Sequence, residues 1–144
     1  MGFLLGTSAV NRICDGTSAA WWPVYTTELV LLELSRTPDA VRRHDLLAVL
    51  LERLSPGGIL RSDLPDAHHT AINDVDIPFE VTPALSLGRP FPLIIRPIGG
   101  NLRRHWEDGF IAQTAMRHGL TLVTAYRRLA KAARLFGVTV ECIN

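Results

Sequence analysis

The sequence predicts an α/β domain in which a central, mostly parallel sheet is sandwiched between two layers of helices. The opening run Phe3–Leu5 is apolar at every position and ends in a Gly-Thr-Ser turn, which is typical of a parallel strand covered on both faces. Further along, apolar residues recur at helical spacing from Phe110 to Ala115, Gly119 then ends the helix, and a second apolar strand follows at 120–123. Strands that alternate with helices in this way predict a layered α/β fold.

The whole chain, residues 1–144, is expected to form one domain. Its length is sufficient for a hydrophobic core, and its apolar-to-polar texture does not change along the chain. The formal net charge of +1 argues against capture of nucleic acid by the charge of the whole surface. Any contact with RNA would therefore have to come from a local basic patch.

Two features indicate a cytoplasmic protein. Cys14 and Cys142 are too few for a disulfide framework and form no Cys-x-x-Cys motif. The apolar run that follows Met1 is too short for a signal peptide or a membrane span. We therefore expect a reducing environment, two buried thiols and no association with a membrane.

The segment Ala9–Ile13 is predicted to begin the first helix, and a turn or a second helix start follows at 15–18. The paired residues Trp21 and Trp22 come next. Packing in the core and burial in an interface with a partner chain explain this pair equally well, and both are favoured over stacking on RNA bases.

The run from Glu28 to Leu34 predicts a strongly apolar helix that carries two carboxylates. A charge inside such a run needs a partner or a metal ion, and Glu33 is the carboxylate that lies inside the run. Glu28 is interpreted as a first-turn glutamate behind a cap at Thr26 or Thr27.

A leucine stripe from Leu46 to Leu54 predicts the next helix, which Ser55-Pro56-Gly57-Gly58 ends. Arg42 and Arg43 lie at the head of this helix. They could form a phosphate-binding patch, but a solvated polar face is the favoured interpretation.

The segment 59–105 is the least readable part of the chain. Its prolines indicate loops or an added hairpin, with strands predicted around Phe79 and at 93–95. It also contains ligand-type side chains, but adjacent histidines point apart on a helix or strand and cannot readily hold one ion. A metal site is therefore disfavoured among these residues, which are Asp66, His68, His69, Asp74 and Asp76.

A basic and aromatic cluster stands immediately before the acidic pair Glu107 and Asp108. Arg103 and Arg104 of this cluster are candidates for holding a phosphodiester backbone, and surface salt bridges are an equally good explanation. The acidic pair is expected at the start of the helix, where carboxylates favour the positive end of the dipole. A final short helix around Leu129 and an edge strand at 138–140 complete the prediction.

Both ends of the chain resemble the PIN-domain ribonucleases, particularly the VapC-type toxins. The opening strand with its Gly-Thr-Ser turn and the stretch D-G-F-I-A-Q-T-A through L-V-T carry this resemblance, while the middle of the chain matches poorly. The resemblance implies that Glu33 and Asp108 are metal ligands. It also implies that Thr7 and Ser8 contribute hydroxyls to the catalytic site.

The resemblance further implies a Mg²⁺- or Mn²⁺-dependent endoribonuclease that acts on RNA, forms a homodimer and pairs with a cognate antitoxin. Two acidic positions of the family pattern are, however, Gly6 and Tyr126 in this chain. Because phosphodiester hydrolysis needs several carboxylates around the metal ions, we expect weak metal binding and little or no cleavage. The alternative is a non-catalytic PIN-fold protein that binds a partner or RNA. A phosphate-binding α/β domain of another type is disfavoured because no glycine-rich phosphate loop follows the first strand.

Overall fold

A computed structural model of the protein describes residues 2–17, 20–62 and 102–143, and for residues 102–106 the backbone alone. The sheet in this part of the chain has five strands, all parallel, in the order β3-β2-β1-β4-β5. The strands are β1 (Phe3–Leu5), β2 (Val24–Thr27), β3 (Ile59–Leu60), β4 (Thr121–Thr124) and β5 (Val140–Cys142). The predicted α/β fold is confirmed, with β1 at the centre of the sheet.

Five helices are described: α1 (Thr7–Cys14), α2 (Glu28–Ser35), α3 (Ala40–Arg53), α4 (Leu102–Arg117) and α5 (Arg127–Leu135). Helix α2 begins behind Thr27, whose hydroxyl accepts a hydrogen bond from the Val30 amide at 3.3 Å. Asp39 caps α3 in the same manner. Gly119 follows α4 with a φ of +64°, which favours glycine and explains why this helix ends there.

The core lies on both sides of the central strands. Leu4 and Leu5 are both completely buried, although adjacent residues of a strand point to opposite faces. Leu122 and Val123 of β4 are buried in the same way beside them. Both faces of the sheet are therefore covered by helices, as an α/β/α sandwich requires.

The leucine stripe of α3 and the tryptophan pair each contain both side chains that pack in or against the core and exposed side chains. Leu46 and Leu50 are buried, whereas the Leu51 side chain is 54% exposed. Trp21 packs against Phe3, with ring centroids 6.5 Å apart, and its indole N–H donates to the Glu141 carboxylate at 2.8 Å. Trp22 is 66% exposed. The core explanation therefore holds for the first tryptophan only.

Several sequence predictions need correction. Helix α4 begins at Leu102, so Glu107 and Asp108 lie inside the helix and the prediction that they stand at its start is wrong. Strand β2 was not predicted, because Val-Tyr-Thr-Thr has little apolar character. The edge strand begins at Val140 rather than 138, and Cys14 and Cys142 are half-buried free thiols.

The predictions for the middle of the chain fall mostly outside the described residues. This applies to the strands expected near Phe79 and at 93–95, and to the residues for which a metal site was disfavoured, Asp66, His68, His69, Asp74 and Asp76. Within the described ranges, no helix combines the length and the apolar character that crossing a membrane would require.

Candidate functional site

A cleft of about 760 Å³ opens where β1 and β4 end. The carboxyl ends of parallel strands meet at one edge of a sheet, and the loops that leave them converge there. Six residues that the sequence singled out line this cleft. They are Gly6, Thr7, Ser8, Glu33, Asp108 and Tyr126.

Hydroxyl groups hold the ends of β1 and β4 together at the cleft. The Ser8 and Thr124 hydroxyls are hydrogen-bonded at 3.0 Å, and Ser8 Oγ accepts a second hydrogen bond from the Ala125 amide at 2.9 Å. Thr124 Oγ1 also accepts from the Tyr126 amide at 3.0 Å. The Ser8 hydroxyl thus connects the residues that follow β1 with those that end and follow β4.

Glu33 reaches the cleft from α2 and is held in an unfavourable environment for a charge. Burial is the main cause that raises the pKa of its carboxyl group well above the ordinary value, and the negative charges of Glu107 and Asp108 raise it further. The Thr7 hydroxyl acts in the opposite direction. In the described part of the chain, Glu33 Oε1 and Thr7 Oγ1 are nevertheless buried without a hydrogen-bond partner of normal geometry.

Glu107 is buried beside this group and is paired with a residue distant in sequence. Its Oε1 lies 2.8 Å from Arg36 Nη1, just beyond the end of α2. This ion pair links α4 to α2, which is the reason a carboxylate is tolerated inside α4. Its neighbour Asp108 lines the cleft, so the two acidic residues have different surroundings.

Gly6 and Tyr126 occupy equivalent places in the structure. Gly6 is the residue that precedes α1, and Tyr126 is the residue that precedes α5. Glycine has no side chain that could cap α1, and the Tyr126 side chain makes no capping hydrogen bond to α5. The backbone of Gly6 has a φ of −81°, and a Cβ added there would meet only the Val123 carbonyl oxygen, at 3.4 Å. The fold therefore does not require glycine at position 6.

The side chains present do not complete a metal site. Glu33 and Asp108 lie in one cleft, and the unpartnered Glu33 Oε1 is suited to a cation. Across residues 2–17, 20–62 and 102–143, however, no three or more His, Cys, Asp or Glu side chains are grouped so that they could hold a metal ion. A divalent cation of the kind that the resemblance implies would therefore lack a full set of ligands among the described residues.

The cleft also contains polar residues that sequence reasoning did not select, and leaves two selected ones untested. Asn11, Arg12, Asp15 and Arg128 line it. Arg12 is one helical turn beyond Ser8 and Arg128 is two residues beyond Tyr126, but no local pattern in the sequence shows that both side chains line one cleft. Arg103 and Arg104 lie in α4, but their side chains are outside the described structure.

Comparison with known proteins supports the fold. No protein-family model matches the sequence, and no curated protein matches it. Among solved structures, the chain is similar to one in the crystal structure of VapBC2 from Rickettsia felis bound to a DNA fragment from their promoter, with 19% identity, full coverage of both chains and a TM-score of 0.52. This likeness is to the fold, which we describe as a PIN-like α/β/α sandwich.

Two further solved structures are similar at a lower TM-score. FitAcB from Neisseria gonorrhoeae shares 21% identity, with 96% of this chain and 95% of that chain covered and a TM-score of 0.43. FitAB bound to an IR36 DNA fragment shares 20% identity, with 97% and 94% covered and a TM-score of 0.48.

Proposed function

We propose that this chain is a PIN-like toxin of a toxin–antitoxin pair whose metal-dependent endoribonuclease site is impaired. The observation that carries the proposal is the meeting of Glu33 and Asp108 in one cleft at the carboxyl ends of the central strands. These two acids come from different helices far apart in the sequence, and the resemblance assigns both to the metal site. Thr7 and Ser8 lie beside them, as that assignment expects.

The impairment follows from Gly6 and Tyr126. Both line the cleft at the two places where the resemblance expects carboxylates, and neither can supply an anionic ligand to a hard divalent cation. In related chemistry a Mg²⁺ or Mn²⁺ ion generates hydroxide and neutralises charge on the phosphate. With an incomplete ligand set, this chain keeps the cleft and two acidic side chains in it, Glu33 and Asp108.

The assigned partners follow from the same lineage. A cognate antitoxin is proposed because the complex with a TM-score of 0.52 is VapBC2, which is described as bound to promoter DNA. An RNA substrate, a homodimer and a cytoplasmic location belong to the proposal on the resemblance alone. The substrate-binding role first given to Arg103 and Arg104 remains a prediction.

Restoring the missing acids tests this proposal. Gly6→Asp and Tyr126→Asp are made singly and together, and Mn²⁺ binding is measured by calorimetry alongside cleavage of a labelled structured RNA. We expect the double variant to bind Mn²⁺ and to cut RNA in a chelator-sensitive way, and the natural chain to do neither to a comparable extent. The proposal is overturned if the natural chain already cleaves with chelator sensitivity and neither substitution changes its metal binding or its rate.

A non-catalytic interaction protein is the second candidate, and the lack of a three-ligand group in the described residues favours it. Adding Mn²⁺ to the double variant separates the two. A dormant nuclease site gains thermal stability from the ion once its acids are restored, whereas a scaffold that never held metal gains none.

A further inference from the structure

The mouth of the cleft carries two arginines from separate elements. Arg12 comes from the last turn of α1 and Arg128 from the first turn of α5, and both side chains are exposed while lining the cleft. These helices follow β1 and β4, whose ends are joined by the hydrogen bond between the Ser8 and Thr124 hydroxyls. The cleft that contains Glu33 and Asp108 is thus also lined by two positive charges.

Arg12 and Arg128 have no carboxylate partner in the described residues, unlike Arg36 and Arg42. Arg36 is paired with Glu107 at 2.8 Å, and Arg42 with Asp15 at 2.7 Å. The second pair matters for the cleft because Asp15 is one of its lining residues. With Asp15 engaged by Arg42, which also donates to Asn11 Oδ1 at 3.0 Å, the charge of Arg12 is left available for a ligand.

The position of Arg128 is unfavourable for the stability of its own helix. The first turn of a helix carries positive partial charge, so a cation there is unfavourable. Helix α5 has no acidic residue in that turn and no side-chain cap to offset the cost. The described structure therefore shows no contribution of Arg128 to the stability of its helix, and its charge is available to a ligand in the cleft.

We propose that Arg12 and Arg128 together hold the phosphodiester backbone of a single-stranded nucleic acid across the mouth of the cleft. Guanidinium groups bind phosphate oxygens through paired hydrogen bonds, and two of them in one cleft can each hold a phosphate of the same strand. The choice of RNA as the natural ligand rests on the proposed function. The contact itself requires no metal ion and no cleavage.

The test is binding of a fluorescent single-stranded RNA to the full chain, measured by anisotropy in chelator over a range of salt concentrations. The variant is Arg12→Ala/Arg128→Ala, and the matched control is Arg53→Ala/Lys131→Ala. The control also removes two positive charges, but from exposed positions outside the cleft. A single-stranded DNA of the same sequence forms a second arm, which separates backbone binding from a preference for RNA.

We expect the cleft variant to lose at least about tenfold in affinity for RNA, and the slope of log K against log salt to fall by about 1.4, roughly 0.7 for each phosphate contact on a single strand. The control should keep its affinity within about twofold. An equal loss for DNA supports a contact to the backbone, and a loss confined to RNA supports a contact that includes the ribose. The proposal is overturned if the control loses as much as the cleft variant, or if the cleft variant loses nothing.

Melting temperature distinguishes a binding defect from a folding defect. Because Arg128 opposes the helix dipole, the Arg128→Ala variant should be at least as stable as the natural chain.

The experiments can show that this inference is wrong while the proposed function is right, and the reverse. If RNA binding depends on Arg12 and Arg128 but the Gly6→Asp/Tyr126→Asp variant does not bind Mn²⁺, only the nuclease assignment is overturned. If that variant cleaves RNA and its cleavage does not depend on the two arginines, only the inference is overturned.

Discussion

The two carboxylates of helix α2 have opposite surroundings. Glu28, in the first turn, accepts hydrogen bonds from the Ser62 amide at 3.0 Å and from the Ser62 hydroxyl. Glu33, in the same helix, places Oε1 in the cleft buried without such a partner in the described structure, close to the charges of Glu107 and Asp108. Hydrogen bonds therefore stabilise the Glu28 carboxylate, whereas burial and neighbouring charges disfavour ionisation of the Glu33 carboxyl group.

The helix starts repeat this contrast. Thr27 and Asp39 cap α2 and α3 with side-chain oxygens, whereas Gly6 and Tyr126, which border the cleft, leave α1 and α5 without a side-chain cap. An aspartate is among the best capping residues and also a good ligand for Mg²⁺. Gly6 and Tyr126 therefore forgo both contributions at the positions where the resemblance expects acids.

Gly58→Ala and Gly6→Ala should show the largest difference, since the two glycines differ in the space around them. A Cβ at Gly58 would lie 2.7 Å from the Ser55 carbonyl oxygen and 2.9 Å from that of Val24, and backbone atoms cannot move aside easily. We expect Gly58→Ala to lower the free energy of unfolding by about 3 kcal/mol and Gly6→Ala by less than about 1 kcal/mol. Urea unfolding measures both. Equal losses would mean that position 6 is as constrained as position 58.

Glu33→Gln and Glu28→Gln should change stability in opposite directions at pH 8. Glu33→Gln replaces a carboxyl group whose ionisation burial disfavours with a neutral amide, and we expect it to raise the free energy of unfolding by about 2 kcal/mol. Glu28→Gln should lower it by about 1 kcal/mol, because Glu28 loses charge-assisted hydrogen bonds at a helix start. Chemical denaturation of the two variants checks the signs. A Glu33→Gln variant less stable than the natural chain would indicate that Glu33 has a stabilising partner.

The pH dependence of stability provides a second measurement on Glu33. Burial, the principal cause, and the charges of Glu107 and Asp108 raise the pKa of its carboxyl group above the ordinary 4.5, so in this range the folded chain binds the proton more tightly than the unfolded chain. Its contribution to stability is complete below pH 4.5 and is lost as the pH rises toward the pKa of the folded state. Denaturation midpoints of the natural chain, compared with those of Glu33→Gln across this window, should show a decrease that the variant lacks.

Substitution of the capping residues should have a smaller effect. Thr27→Ala and Asp39→Ala each remove a hydrogen bond to a helix amide, and each is expected to cost about 1 kcal/mol. Thermal melts of the two variants measure this. A loss of less than about 0.3 kcal/mol at either position would contradict the role of its side chain as a cap.

The sequence predicted those elements of the fold that a local pattern of apolar residues reveals. Strands β1 and β4 are apolar on both faces, and the leucine stripe of α3 follows helical spacing, so these elements could be recognised. Strand β2 could not, because its Thr26 is buried through a hydrogen bond to the Leu5 carbonyl at 3.3 Å rather than through apolar character. The start of α4 was misplaced for a related reason, since Glu107 is stabilised inside the helix by the distant Arg36.

The site was predictable to the extent that it follows strand ends. Gly6, Thr7, Ser8 and Tyr126 come directly after β1 and β4, and parallel strands bring such turns together. Glu33 was recognisable as a charge in an apolar helix. That Arg12 and Arg128 face one cleft depends on how α1 and α5 pack on the sheet, which no local pattern in the sequence encodes.

The central claim is that Glu33 belongs to a dormant cation site, and one melting experiment tests it most directly. The Gly6→Asp/Tyr126→Asp variant is melted with and without MnCl₂, beside the same variant carrying Glu33→Gln and beside the natural chain. We predict that Mn²⁺ raises the melting temperature of the double variant by about 5 °C or more at saturating concentrations, and that Glu33→Gln removes this rise. A rise that persists without the Glu33 carboxylate, or one of the same size in the natural chain, would contradict the claim.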